Sequence, residues 1–490
     1  MRHARLALLT LPLLVPVACF QSSDDSMGAP DSSAPLADSG QDTSIPDARA
    51  PFGDGGIADT SIADVVVDAA PLPVTVKVTT LSGPEAGILV VFDTAAGVVS
   101  GMATTDSTGT VTQVVAAGSQ ATVVLGTALS SNLVTIVGIE PGDVLSVVDS
   151  QGVSIYAAIN DVTNAASAPT GAASYAVSAG GCSTGNFTAV PLGVPALLYL
   201  YPGCYGATEI PLFLTAYDSN DNPLAYAWQT DTFAGLDAGM LGLTAGGTWS
   251  TTTTMQAVTA TNVPTDAFGG QVIFSELASG VALSQYGDLP EATDGGVSIS
   301  PFVVHTGYPS AIQTELDVST DSFQGSLILA KRESAPTADG ATAVDLSQLL
   351  PEFTGAGVDT TNPVQPTVTW TSTAAFTAAA GVIAQTAWST QIDGGYSDGT
   401  WTIIAPSTAT SAPTPALPSS VAAYAPTASS TFNSGVSVVI IGGTAVPSYA
   451  VLRSLQGSFS VPQMLSGGPY VPPLPADGTV VISLTAPFGE

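Results

Sequence analysis

The sequence predicts an all-β protein of tandem β-sandwich domains, set behind a signal peptide and a disordered acidic linker. Three observations carry this. Thr, Ser, Ala, Val and Gly dominate a chain with only 9% charged residues, and β-branched side chains suit pleated, half-buried faces. Short apolar or alternating runs are separated by Gly, Pro, Asn and Asp clusters at about 8–12-residue spacing, the rhythm of a sandwich. No stretch keeps a helical apolar period between caps. The best short helix candidate is Val344 to Leu350, stopped by Pro351.

Residues 1–18 read as the signal peptide. Arg2, His3 and Arg5 give a cationic start, and Leu6 to Val17 is apolar apart from Thr10. That run is shorter than the roughly 20 apolar residues a bilayer span needs, but it suits an export signal. Ala18 precedes Cys19, with Leu14 and Val15 just upstream. The arrangement resembles the bacterial lipoprotein signal, with Pro16 departing from the usual residue two before Ala18. The resemblance implies lipid on Cys19 and attachment to a membrane through the acyl chains. Phe20 follows where Asp would be a retention signal, which points to an outer-membrane lipoprotein of the exported bacterial cell envelope. The alternative is an ordinary secretory signal with an accidental cysteine.

Residues 19–70 read as a lipidated cysteine and a disordered Asp-rich tether. From Gln21 to Ala70 there are ten aspartates, no glutamate and one basic residue, Arg49, with Pro30, Pro35, Pro46 and Pro51 among them. Such a composition buries too little apolar surface to offset chain entropy. A flexible linker of this length spans about 40 Å. Acidic tails also bind cations or basic partners, which is the rival to a plain spacer.

Loss of residues 1–18 leaves 5 Lys and Arg against 39 Asp and Glu, a formal charge of −34. This excludes nucleic acid as a partner, because its binding requires cations that displace counterions. It also opposes docking on anionic lipid. Assigning Cys19 to lipid leaves Cys182 and Cys204 as a pair, expected to form a disulfide in an oxidising compartment. The rivals are two buried thiols or a metal site, and a Cys/His zinc site lacks ligands with His305 the single downstream histidine.

The folded part divides, on this reading, into a sandwich at 71–155, a second sandwich with the disulfide at 156–290, and a third β-rich region at 291–490 of one or two units. Val74 to Val78 alternates in period two; Ile88 to Phe92, Thr110 to Val115, Ala121 to Leu125, Leu133 to Val137 and Val144 to Val148 follow. The order Gly83-Pro84, Gly87, Asp106, Gly109, Gly118 resembles carboxypeptidase-regulatory-like and bacterial Ig-like sandwich domains over about 60 residues. Its motifs are turn chemistry, so the resemblance implies a fold and no activity. The second region offers the hairpins 212–217/224–228 and 271–277/281–286. The third offers strands at 327–330, 367–371, 400–404, 436–441 and 479–484.

Few constellations carry chemistry. Asp218, Asn220, Asp221 and Asn222 place four oxygen-bearing side chains within five residues, as Ca²⁺ prefers; yet Pro223 and Gln229 stand where an EF-hand loop has Gly and Glu, and the same residues make good turns. Calcium is thus the one cofactor candidate. Gly181-Cys-Ser183-Thr-Gly185 and Gly395-Tyr-Ser397-Asp-Gly399 match a nucleophile elbow, which needs a strand before and a helix after; with His305 as the single base, a structural strand histidine is the better reading. Glu209, Glu276, Glu315 and Glu352 are scattered, and a glycosidase needs two facing carboxylates. Trp370, Trp388, Tyr396 and Trp401 form the densest aromatic group: exposed, a platform for sugar rings; buried, core. The expected function is a lipid-anchored envelope protein presenting sandwiches for binding, adhesion or structure, without catalysis, toward a protein or glycan ligand. The alternative is a carbohydrate-binding or carbohydrate-active surface protein.

Overall fold

The computed structural model describes residues 72–80, 83–149, 158–164, 169–178, 183–185, 189–194, 196–200, 209–232, 242–245, 248–278, 281–291, 295–320, 325–336, 338–393, 395–432, 436–455, 474 and 476–485. The signal and tether with Cys19, and the pair Cys182 and Cys204, lie outside the described residues.

The chain is all-β. Its first stretch holds β1 (Val74–Thr80), β2 (Gly83–Pro84), β3 (Leu89–Asp93), β4 (Val99–Thr104), β5 (Thr110–Gln113), β6 (Ser119–Thr127), β7 (Ser130–Ile139) and β8 (Val144–Asp149). The turns anticipated here form for the expected reasons. Oδ1 of Asp106 accepts from Thr108 N (2.8 Å) and Thr110 N (3.1 Å). Gly109 follows at φ 69°, where a Cβ would stand 2.4 Å from the Val78 carbonyl oxygen, so this turn tolerates glycine alone. At the next turn, Glu140 N donates to Asp143 Oδ2 at 2.7 Å.

The middle stretch contributes β9 (Ala158–Asn164), β10 (Ser174–Ser178), β11 (Ser183–Gly185), β12 (Val190–Pro191), β13 (Ala196–Leu200), β14 (Glu209–Tyr217), β15 (Pro223–Thr232) and β16 (Gly242–Ala245). Next come β17 (Thr253–Thr261), β18 (Ala267–Ala278), β19 (Val281–Leu289), β20 (Gly296–His305), β21 (Ala311–Thr320), β22 (Gly325–Ser334) and β23 (Gly340–Asp345). The last are β24 (Phe353–Asp359), β25 (Thr367–Ser372), β26 (Ala379–Ile392), β27 (Gly395–Pro406), β28 (Ser411–Pro413), β29 (Thr431–Phe432), β30 (Ser437–Gly442), helix α1 (Tyr449–Leu455) and β31 (Gly478–Thr485). The helix expected at 344–350 does not form. Val344 and Asp345 finish β23, paired parallel with Ala260 and Thr261, and a single 3-10 turn, Leu346–Gln348, follows. Seven residues nucleate a helix poorly, so the ladder wins.

One sheet of thirteen strands organises the molecule, in the order β19-β18-β21-β22-β31-β30-β26-β27-β7-β6-β3-β4 with β29 beside β26. All its pairings are antiparallel except β27 with β7, where Asp398–Ile404 runs parallel to Ser130–Ile136. Strand pairing therefore crosses from the 71–155 segment to the 291–490 segment, and β18 with β21 crosses position 290.

Both faces of this sheet are covered. On one, Val258, Ile299, Phe302, Val304 and Val344 of the β20-β17-β23 sheet and Val368 and Trp370 of the β24-β25-β28 sheet meet Phe274, Leu316, Val438 and Ile440. On the other, Val74, Val76 and Val78 of β1 and Leu145 and Val147 of β8 meet Phe92, Val123 and Ile136. Val439 and Ile441 face this second layer while Val438 and Ile440 face the first. Burial on both faces is why 438–441 reads as an unbroken apolar run, where a one-sided strand would alternate.

Candidate functional site

The most distinctive chemistry lies along the seam between β19 and β20. β19 ends the thirteen-strand sheet and β20 ends the three-strand sheet packed against it. The two strands are consecutive in the chain, so they cross from one layer to the other. Between them, side chains replace the missing ladder. Gln285 Nε2 donates to the Val303 carbonyl at 2.6 Å, and Val303 N donates to Gln285 Oε1 at 3.2 Å. Two residues further along β20 from the crossing, the clasp reaches past β19 to β18: His305 N donates to Glu276 Oε1 at 2.7 Å, and His305 Nδ1 lies 2.6 Å from Glu276 Oε2. Exposed edge amides attract foreign strands; here an amide and a carboxylate clasp them.

Glu276 is fully buried and His305 is 6% exposed. The imidazole is enclosed by Tyr226 (centroids 4.0 Å apart) and Phe213 (4.8 Å) from the β14–β15 hairpin, with Tyr308 stacked edge-on to Phe213 at 4.9 Å. Burial, then the Glu276 charge, pushes the Tyr308 phenol well above its usual range. The Glu276–His305 pair thus serves as a closed clasp inside an aromatic box. The opposite seam is held in the same way: Lys331 Nζ donates to the Ala343 carbonyl at 3.1 Å and pairs with Glu333 at 2.7 Å, and Thr342 Oγ1 donates to Glu333.

Toward the crossing loop the clasps stop and the seam opens. A groove of about 510 Å³ lies there, lined by Gln285 to Asp288 and Pro290 on one side and Ser298 to Phe302 on the other. Its floor is the Phe302 ring, stacked on Phe274 at 5.0 Å and 3°. Gly287 lets the β19 backbone close onto that ring, since a Cβ there would come within 3.1 Å of Phe302 Cζ. Tyr286 is 64% exposed, and Asp288, Ser298 and Ser300 are exposed as well. The β17–β20 bulge leaves Ser300 and Pro301 without register partners.

The residues singled out from sequence fare differently. Trp370, Trp388 and Trp401 are 6%, 3% and 0% exposed, so they are core, and a sugar in solvent cannot stack on them. Trp401 Nε1 donates to Thr135 Oγ1 at 2.9 Å. Of that group, Tyr396 alone is exposed, at 66%. At the 218–222 turn, Asp218 Oδ1 accepts from Asn220 N (2.7 Å) and Asn222 N (2.9 Å), and Oδ2 accepts from Asn222 Nδ2 (3.0 Å). These bonds hold the Asp218 carboxyl below its usual pKa, and Asp221 sits at φ 62°. The geometry is that of a self-capped hairpin turn. Among the described residues no three His, Cys, Asp or Glu side chains gather as a metal would require.

Neither serine occupies a strand-to-helix elbow. Ser183 lies in β11, and Ser397 sits in β27 and donates to the Ala128 carbonyl at 2.7 Å. Glu352 accepts from Thr320 at 2.6 Å, and Glu315 is buried on β21. The seam clasp went unread, yet a signal exists: Glu276 follows Val272 and Phe274 at an inward position of a period-two strand. A carboxylate there demands a partner.

No protein-family model matches the chain, and no curated protein matches it in sequence. Among solved structures, it is similar to a Bacillus anthracis TIE protein at 9% identity and TM-score 0.15, over 56% of this chain and 50% of that one. A leucine-rich repeat protein from Bacteroides thetaiotaomicron matches at 13% identity and TM-score 0.20, over 39% of this chain and 26% of that one. A Ca²⁺-stabilised adhesin of an Antarctic bacterium, which binds ice, matches at 12% identity and TM-score 0.11, over 77% and 96%. The chain spans half or less of the first two. At such TM-scores none of these likenesses carries an inference about function.

Proposed function

We propose that this chain is an exported envelope protein that uses its β-rich body as a binding surface rather than as a catalyst. Lipid on Cys19 anchors it to the outer membrane, the 20–70 stretch spaces it from the bilayer, and a Cys182–Cys204 bridge braces the middle region. The observation that supports a binding role is the open groove between β19 and β20, a concave site with an apolar floor and hydroxyl and carboxylate groups at its lips. Its volume falls within the range of ligand clefts. The buried His305–Glu276 pair supports the non-catalytic part, since both of its carboxylate oxygens are committed to holding His305.

Two measurements test this. Cys19→Ser should move the protein from the detergent phase to the aqueous phase, or leave the precursor uncut. A mature N-terminus that is unmodified or starts elsewhere would remove the anchor. The purified full chain should retain a ligand on protein or glycan arrays, and Gly287→Leu, which fills the groove, should abolish that retention. Turnover of a glycan by the wild-type chain would replace the binding reading with an enzymatic one.

A further inference from the structure

We propose that the open part of the β19–β20 seam takes an extended, cationic peptide segment of another protein, added as a strand on the free edge of β19. The inference rests on the groove reading above and names its ligand. Four observations carry it. First, β19 ends its sheet and has no strand partner on its outer side among the described residues. An open edge of this kind is the standard template for strand addition. The β20 side cannot serve equally. Pro301 lacks an N–H, and the backbone of Val303 and the amide of His305 are already bonded to Gln285 and Glu276. The wall and the docking edge are thereby distinguished.

Second, the size fits. The lining on β19 runs from Gln285 to Pro290, and at about 3.3 Å per residue the open length accommodates some four or five residues of extended chain. Third, Gly287 brings the β19 backbone directly against the Phe302 ring, with no room for a Cβ between them. In a strand paired to β19, alternate side chains point inward, so one apolar side chain packs beside that ring and the next stays in solvent.

Fourth, the charge selects the partner. Asp288 lies exposed on the groove lip with Glu291 just beyond, and among the described residues no Lys or Arg lines the groove. A second copy of this chain is a poor occupant. Its net charge is −32, and Lys331, Arg332 and Arg453 already face Glu333, Asp477 and Asp143. Complementary charge therefore comes from a different, basic protein.

The test pans a displayed library of random nine-residue peptides against the full chain, with counter-selection on Gly287→Leu. Retained peptides should alternate β-branched or aromatic residues with Lys or Arg. On binding, amide exchange should slow at 286–289. Asp288→Lys, an exposed position that leaves the fold intact, should weaken the retained peptides at least tenfold, and raised salt should weaken them too. Peptides that survive only without counter-selection, that bind Asp288→Lys as well as wild type, or that protect amides elsewhere would overturn the proposal. A glycan array run in parallel separates the failures. Glycan retention lost in Gly287→Leu, with no peptide retained, would keep the groove and discard the peptide. Retention of either class that is indifferent to Gly287→Leu would discard the groove itself.

Discussion

Asp93 and Asp317 are carboxylates held by burial against their own ionisation. Asp93 is fully buried, and among the described residues neither of its oxygens has a hydrogen-bond partner; Asp317 is helped by Ser326. Both are pushed up to about 6, against roughly 3.9 in an unfolded chain. Between those values the folded state binds more protons than the unfolded one, so stability falls as pH rises from about 4 to 6 and stays low above. The hydrogen-bonded Asp106, Asp218, Asp345 and Asp359 are shifted downward and lose their stabilisation below about 4. Asp93→Asn should raise stability at pH 7 by about 1–2 kcal/mol and flatten the 4-to-6 slope, as read from denaturant titrations at pH 4, 5.5 and 7. A variant with an unchanged slope would mean that Asp93 ionises freely. At the clasp, Glu276→Leu strands the His305 amide and imidazole in the aromatic box and should cost about 3 kcal/mol. Gly399 packs under Trp388, with a Cβ there only 2.2 Å from Trp388 Cζ2. Gly399→Ala should therefore destabilise by about 1–3 kcal/mol, and adding Trp388→Phe should recover part of the loss.

Helix α1 shows how an element can be invisible in its own sequence. Tyr449–Leu455 spans seven residues, too few to persist alone, and nothing in the local pattern announces it. Tertiary contacts fix it instead. The Tyr449 hydroxyl lies within hydrogen-bond distance of two carbonyls, Val137 at 2.5 Å and Ile404 at 2.9 Å, and shares its one proton between them, where the parallel β7–β27 pair ends. Arg453 donates to the Gly138 carbonyl, pairs with Asp143 at 3.0 Å and lies 4.9 Å over the Tyr449 ring. Buried Leu452 completes the contact. Removing that buried charge's role through Arg453→Ala leaves Asp143 and the Gly138 carbonyl short of a donor and should cost about 2–3 kcal/mol, with amide exchange accelerating first in α1 and in 136–139. Equal acceleration across all strands would show that α1 is no local clamp.

The thirteen-strand sheet makes the parts from 72 to 485 mutually dependent. Residues 72–490 belong to one compact unit, and β7 is completed by β27, more than 250 residues later. A chain of 71–155 alone would present the whole length of β7 as an open, uncharged edge. Such edges drive association, so this fragment should sediment as oligomers, while a chain from 71 to the end should unfold in one calorimetric transition. A monomeric 71–155 fragment with dispersed amide signals would instead establish it as an autonomous sandwich, the organisation proposed from its turn motifs.

The amino-acid sequence by itself determined the all-β class and those strands with a clear local pattern, while β17, β20, β21 and the fourteen-residue β26 take their place from pairing. Alternation in Val74 to Val78 and Asp106/Gly109 turn chemistry are local: a period-two burial and a left-handed backbone are properties of neighbouring residues. The hairpins 212–217/224–228 and 271–277/281–286 formed for the same reason. Tertiary structure decided which strands meet and which polar groups face one another. The parallel joining of β7 to β27, the burial of Trp370, Trp388 and Trp401, and the Glu276–His305 clasp all depend on partners far away in the chain. Pairing at that range is set by complementary edges and summed burial over a whole sheet, a quantity that no window of sequence contains.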